Sequence, residues 1–243
     1  MSFTALLRSI RWLIWLALLA AAGFIAYAML RPAPQDLPWT PLEMHQPIGL
    51  FTGRKLTKLA DEPARCVGLL QGTGLKVEAV EPFGEGQCRV PDATRVAAGQ
   101  EMLALAPTNV APSCPVVAAL ALWNWQVVQP AAQRLFGKSV ARIEHLGSHN
   151  CRRMYGRAEG SWSEHATSNA IDISAFVLTD GRRISVLRDW PVPGDEAIFL
   201  KDVRDGACKL FATVLSPDYN AQHRDHLHLD QAQRGGMGWR ACR

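Results

Sequence analysis

Residues 12–30 form an unbroken apolar run of 19 residues with no charge inside it. As a helix rising 1.5 Å per residue it spans about 28 Å, close to the hydrocarbon core of a bilayer. A chain that begins this way commits one helix to lipid or to export and builds its fold from the residues beyond it. Arg8 and Arg11 precede the run, and no acidic residue occurs before Asp36. That charge asymmetry puts residues 1–11 in the cytoplasm, makes residues 12–30 a transmembrane anchor, and places everything after Arg31 outside. Ala26-Tyr27-Ala28 resembles a signal cleavage site, so a cleaved signal peptide is the alternative. The run is longer than a typical signal core, which favours a retained anchor. Both readings export the rest of the chain.

The six cysteines, Cys66, Cys88, Cys114, Cys151, Cys208 and Cys242, all lie beyond the apolar run. None forms a C-x-x-C pair, which argues against a zinc finger or a thioredoxin-type motif. An even number in an exported domain points to disulfides, with buried free thiols as the alternative. Six cysteines allow 15 pairings; sequence neighbours are the expectation here, Cys66 with Cys88, Cys114 with Cys151 and Cys208 with Cys242. The net charge of +4 is small and scattered, with no basic run interleaved with aromatics, so nucleic-acid binding is unsupported.

Pro32, Pro34, Pro38, Pro41 and Pro47 make residues 31–48 a proline-rich linker, read as a stalk that docks, if at all, through Trp39. Residues 49–243 form one exported domain. Within it, residues 75–80, 140–146, 170–178 and 226–229 read as strands, and 184–187 as a hairpin partner after Asp180-Gly181. Ser113 reads as an N-cap opening a helix with Pro115 in its first turn, continuing to Phe136 and closed by Gly137. Trp123 and Trp125 read as packing residues in it. Residues 195–215 read as a second helix burying Phe199, Val203, Ala207, Leu210, Phe211 and Val214, and ended by Pro217. Separate helices and hairpins predict an α+β fold, a small antiparallel sheet with flanking helices.

Two segments carry the chemistry. Ser163-Glu164-His165 runs through to Asp172, and Asp225-His226-Leu227-His228 lies far downstream. Catalytic zinc usually keeps three protein ligands and one open position, and imidazole and carboxylate are suitable donors. His165 and Asp172 can converge from a loop leading into a strand. His226 and His228 share a strand face, about 6.6 Å apart at Cα. Asp225 would point the other way by strict alternation, so it can serve as a base only from the preceding turn. Arg152, or the adjacent Arg153, offers a guanidinium for a substrate carboxylate or an oxyanion.

Jointly, these residues resemble the zinc D-alanyl-D-alanine peptidases of the LAS type, the lysostaphin and hedgehog-like group, whose motif is S-x-H-x-x-G-x-A-x-D with a distant H-x-H. Ser163, His165, Ala170 and Asp172 match in register. From about Trp39 onward the chain is similar to the bacterial extensin-like C-terminal domain family. That likeness rests on residues 36–42, 147–152, 163–166, 169–173 and 225–230. The resemblance implies one zinc ion held by His165, Asp172 and His228. It implies Asp225 as general base, His226 in a supporting or transition-state role, and Arg152 and Ser163 as substrate-binding residues. Ser168 stands where the motif has glycine, a cost if positive φ is required there. His149 takes a position often aromatic. The resemblance thus implies a peptidase hydrolysing peptidoglycan peptides, as a D,D-carboxypeptidase or endopeptidase. It would be held in the inner membrane by residues 12–30, with its domain in the periplasm. The alternative is a non-catalytic zinc- or peptidoglycan-binding envelope module.

Overall fold

A computed structural model of the chain describes residues 3–99, 102–235 and 240–243. The first helix, α1 (Phe3–Leu30), contains the stretch Leu7–Ala28, long and apolar enough to cross a membrane; a signal sequence has the same character. The proline-rich stretch is not a free stalk. Leu42 and Met44 are 6% and 3% exposed and join the hydrophobic core, whereas Trp39 stays 77% exposed. Lys55 Nζ donates to Pro34 O and Thr40 Oγ1, and Leu50 N donates to Asp36 Oδ1. Proline density excludes helix here, yet an extended chain can still lay alternate apolar side chains onto a domain.

The domain's other helices are α2 (Thr52–Lys58), α3 (Pro63–Gly72), α4 (Cys114–Trp123), α5 (Gln129–Phe136), the single turn α6 (Val186–Asp189) and α7 (Asp195–Ala207). Every residue of α4 is buried. A helix apolar on all sides belongs at the centre of a fold, and Trp123 anchors it by donating Nε1–H to Val203 O of α7. The expected helix from Ser113 to Gly137 is present but interrupted by a π-helical turn, Asn124–Val128, before α5. Asn124 Nδ2 and Trp125 Nε1 both donate to Met102 O there. Gly137, at φ 62°, closes α5 in the left-handed conformation that glycine adopts without strain. Gly206 of α7 faces the π turn so closely that a Cβ would overlap Val127.

The strands are β1 (Val77–Ala79), β2 (Thr94–Val96), β3 (Leu105–Ala106), β4 (Val140–His145), β5 (Ala170–Leu178), β6 (Arg183–Ser185), β7 (Thr213–Leu215), β8 (Leu227–Asp230) and β9 (Ala241–Cys242). β1 and β2 form a separate antiparallel pair. The other seven form one sheet in the order β3-β4-β5-β8-β7-β9, with β6 beside the second half of β5. The fold is α+β, but the sheet is mixed and not the small antiparallel one expected. β3 adds parallel to β4, and β9 parallel to β7. Both are two-residue strands, too short to leave a period-2 signal.

Two further expectations are corrected. The helix over 195–215 ends at Ala207, and residues 213–215 are β7. Leu210, Phe211 and Val214 are buried as expected, but Thr213 and Val214 pair with β8. A short apolar run after a helix does not distinguish strand from helix by periodicity. The hairpin partner 184–187 is strand only to Ser185; the chain then turns helical, with Ser185 N donating to Asp189 Oδ2.

β5 carries a bulge that governs the site. His145 pairs with Ile173 and Glu144 with Ala175, leaving Ser174 unpaired. One extra residue reverses alternation. Ile171 and Ile173 therefore face the core before it, Phe176 and Leu178 after it, and Asp172 faces the opposite side. On β8, Leu227 and Leu229 face the core and leave His228 and Asp230 on the same open face as Asp172.

The disulfides are Cys66–Cys114, Cys88–Cys151 and Cys208–Cys242. Only the last matches neighbour pairing. The first ties α3 to α4, and the second ties the β1–β2 lobe to the segment after β4, contacts that chain order does not reveal. Peptide mapping of the unreduced protein should return these three pairs; a peptide joining Cys66 to Cys88 would contradict the fold. Replacing Cys88 and Cys151 together should cost about 2–5 kcal/mol in denaturant unfolding.

Candidate metal-binding site

The turn before β5 delivers His165. Ser163 caps a short 3-10 turn, Glu164–Thr167, by accepting from His165 N. The turn ends at Ser168 with φ 55°, the left-handed conformation. The backbone there is fixed by Ser113 N donating to Ser168 O and by Ser168 N donating to His165 O. Ser168 occupies the expected glycine position, and the position does adopt positive φ. Its side chain is fully buried and its hydroxyl has no partner.

His165, Asp172 and His228 meet on the open face. His165 Nε2 lies 3.2 Å from Asp172 Oδ1 and 3.1 Å from His228 Nδ1, and the latter lies 3.0 Å from Asp172 Oδ1. Each imidazole has its other nitrogen engaged. His165 Nδ1 contacts Ser148 O at 3.0 Å, and His228 Nε2 contacts Asp230 Oδ2 at 3.2 Å. A carbonyl and a carboxylate accept only, so these nitrogens carry the protons. In the neutral tautomers, three bare acceptor atoms then face one another with no hydrogen between them. Such a trio is relieved either by a metal ion at its centre or by a proton shared among its members. Donors about 2.0–2.1 Å from a tetrahedral ion stand about 3.3 Å apart, near the spacing here. The engaged outer nitrogens are also the arrangement that orients histidine ligands. The trio could hold a divalent ion.

Without one, a proton does the same work. Burial would lower the His228 pKa, but the Asp172 and Asp230 carboxylates outweigh it and push it up to about 9. Burial would raise Asp172, but the imidazoles of His165 and His228 hold it well below the usual carboxylate range.

His226 and Asp225 adjoin the trio. Asp225 sits in the turn before β8, and its Oδ1 takes the Nδ1–H of His226 at 2.9 Å. His226 Nε2 is then 3.6 Å from Asp172 Oδ1. Arg152 and Ser163 line the same cleft of about 300 Å³, with Tyr155, Leu215 and His223. All seven residues singled out from the sequence thus gather at one place. Arg153 instead stacks on Trp162.

Sequence reasoning missed three contributors. Asp230 shares the face of His226 and His228 by alternation, a signal present in the sequence. Ser148 acts through its carbonyl, which no side chain announces. His223, held by Asn220 Oδ1 at 2.7 Å, comes from a turn with no periodicity. Burial, then the charges of His226 and His228, push its pKa down to about 4.

The class is now defined: an α+β domain, stapled by disulfides, with a His-Asp-His cluster on the open face of a mixed sheet. Residues 64–243 match the family described as extensin-like protein C-terminus, and the chain belongs to it. No curated protein and no solved structure matches the chain.

This geometry has two testable outcomes. Ser168→Gly should stabilise the protein by about 1 kcal/mol, removing left-handed strain and a buried unpaired hydroxyl. Ser168→Ala, which keeps the strain, should gain less; equal gains would deny that strain matters. The second concerns pH. Stability from His228 is fully present below the ordinary histidine value of 6.5 and is lost as pH rises through about 9. Stability from keeping His223 neutral is present above 6.5 and is lost as pH falls through about 4. Asp172 adds to the loss further toward acid. The thermal midpoint of chelator-treated protein should peak near pH 6.5, with the alkaline limb flattened in His228→Gln and the acid limb in His223→Gln.

Proposed function

We propose that this protein is a zinc-dependent peptidase of the bacterial cell envelope that hydrolyses peptide bonds of peptidoglycan, as a D,D-carboxypeptidase or endopeptidase. The observation that carries the reading is the convergence of His165 Nε2, Asp172 Oδ1 and His228 Nδ1, three atoms of ligand type within 3.0–3.2 Å of one another. The in-register likeness of Ser163, His165, Ala170, Asp172 and His226-x-His228 to the LAS-type peptidases supports it. The apolar N-terminal helix fits an inner-membrane anchor, and three disulfides fit the oxidising periplasm.

In this reading His165, Asp172 and His228 hold the ion. Zinc, when bound, supplies Lewis-acid polarisation of the scissile carbonyl and eases deprotonation of the attacking water. The chain's own groups do the rest. Because Asp225 takes the Nδ1–H of His226, the bare nitrogen of His226 is Nε2, which faces the cluster. His226 Nε2 receives the proton of the attacking water, Asp225 stabilises the imidazolium, and the proton then passes to the leaving amine. Asp225 thereby works through His226 and not as the first acceptor. Arg152, on the cleft wall, holds the substrate carboxylate or the developing oxyanion. Ser163 Oγ, already accepting from His165 N, has its hydroxyl hydrogen left to offer the substrate.

A second reading, a zinc- or peptidoglycan-binding module that does not cleave, draws on Asp225, whose carboxylate is engaged with His226. One experiment separates the two. The full-length chain is purified in detergent with zinc supplied, zinc is measured by elemental analysis, and defined crosslinked muropeptides are digested. His165→Ala should lose the metal. Asp225→Ala should keep it and lose about 10²–10⁴-fold in rate. Stoichiometric zinc with no cleavage by the unaltered protein would favour the module, and no zinc at all would end the metal reading.

A further inference from the structure

Beyond α1, the two most exposed large apolar side chains among the described residues are Trp39, 77% exposed, and Leu50, 76% exposed; Leu146 and Val192 follow at 59%. One such side chain alone needs no explanation. These two flank the point where the chain leaves α1 and meets the domain. Lys55 Nζ donates to Pro34 O at 3.0 Å and to Thr40 Oγ1, beside Trp39, at 2.8 Å. Leu50 N donates to Asp36 Oδ1 at 2.7 Å, and Phe51 N to Gln35 O at 3.2 Å. The backbone between is fixed as well. Leu42 and Met44 enter the core, Gln126 accepts from Ile48 N and donates to Gln46 O, and Gly49 lies so close to Gln35 that a Cβ would overlap it. The fold therefore holds Trp39 and Leu50 outward on an ordered edge.

Only residues 31–33 separate the end of α1 from docked Pro34. The four Cα steps from Leu30 to Pro34 reach at most about 14 Å when fully extended. With α1 spanning a bilayer, the headgroup layer takes up about 5–8 Å of that reach. What is left is narrower than one helix with its side chains, about 10–12 Å across. Neither a folded partner nor a second copy of the domain fits between this edge and the bilayer, whereas lipid does. Indole suits headgroup depth, with an apolar body and an N–H to donate.

We propose that Trp39 and Leu50 insert into the surface of the membrane that α1 spans, so that the domain rests on lipid by this edge. A tether alone leaves a domain free to turn. A tether with two inserted side chains fixes which face meets the bilayer. The inference rests on the reading of α1 as a retained anchor and needs neither metal nor hydrolysis.

The test attaches an environment-sensitive fluorophore to Leu50→Cys in the full-length protein, reconstituted in phosphatidylcholine vesicles. Matched vesicles carry lipid with a nitroxide at the headgroup end of the acyl chain. Val192→Cys, on the exposed loop after α6, is the comparison. The Leu50 label should shift to the blue and lose most of its emission to the nitroxide, and the Val192 label should do neither. If the added cysteine disturbs the disulfides, Trp39 is the probe: the nitroxide-quenched share of the tryptophan emission should fall in Trp39→Phe. Retention of the protein through an alkaline carbonate wash is measured in parallel. Release from the vesicles would overturn the anchor and this inference together. Retention with an unquenched Leu50 label, with both labels quenched equally, or with no change in Trp39→Phe would overturn this inference and leave the anchor standing. A blue shift without quenching would mean that protein covers the edge, and would overturn it too.

Discussion

Asp172 and His228 stand directly opposite each other in the antiparallel ladder of β5 and β8, and the candidate site is built out from that pair. Cross-strand neighbours hold their Cβ atoms about 4.5–5.5 Å apart, so register alone brings a carboxylate and an imidazole within reach. A slip of one residue would send either side chain into the core. The register is held by Ile171 and Ile173 on one strand and Leu227 and Leu229 on the other, all fully buried. The bulge at Ser174 then lets the same strand present Phe176 to Trp123 and Phe199, and Leu178 to the core, without turning Asp172 inward. Core packing and site geometry are thus two faces of one pairing.

The third donor comes from outside the ladder and needs its own support. His165 lies on a single 3-10 turn, an element with little stability of its own. It is fixed from several sides. Ser163 caps the turn, Ser148 O orients the ring, and the left-handed Ser168 redirects the chain into β5. Ser113, at the start of the central helix, donates through its backbone to Ser168 and through its hydroxyl to Asn169 Oδ1. The helix at the centre of the core therefore also sets the position of the turn, which explains why a strained serine is tolerated there.

The parts of this arrangement that repeat or alternate were legible in the sequence. β5 was readable to its ends, and so was the shared face of His226 and His228. The placement of Asp225 in a turn came from the conflict between its chemistry and strict alternation. The illegible parts depend on contacts between distant segments. The Cys66–Cys114 and Cys88–Cys151 pairs, the two-residue strands β3 and β9, and the docking of Leu42 and Met44 leave no local signal. The carbonyl of Ser148 is invisible for another reason, since every residue has one. The end of α7 was misjudged because Leu210, Phe211 and Val214 are buried in the structure just as a helix would bury them.

The chemistry of the cluster turns on its open fourth side. A structural zinc site is normally closed by four protein ligands. Here the His, Cys, Asp and Glu donors lying within 4.8 Å of one another are three, among the described residues, and Asp172 and His228 open onto a cleft lined by Arg152 and His226. Three converging acceptors are a poor way to stabilise a fold. They repel one another unless a metal ion or a proton sits among them, and an apolar trio would pack at no such cost. The groups facing the open side, a guanidinium and an imidazole backed by a carboxylate, are those that would bind an anion and move a proton. That combination, more than the cluster itself, is what argues for a reactive centre over a structural one.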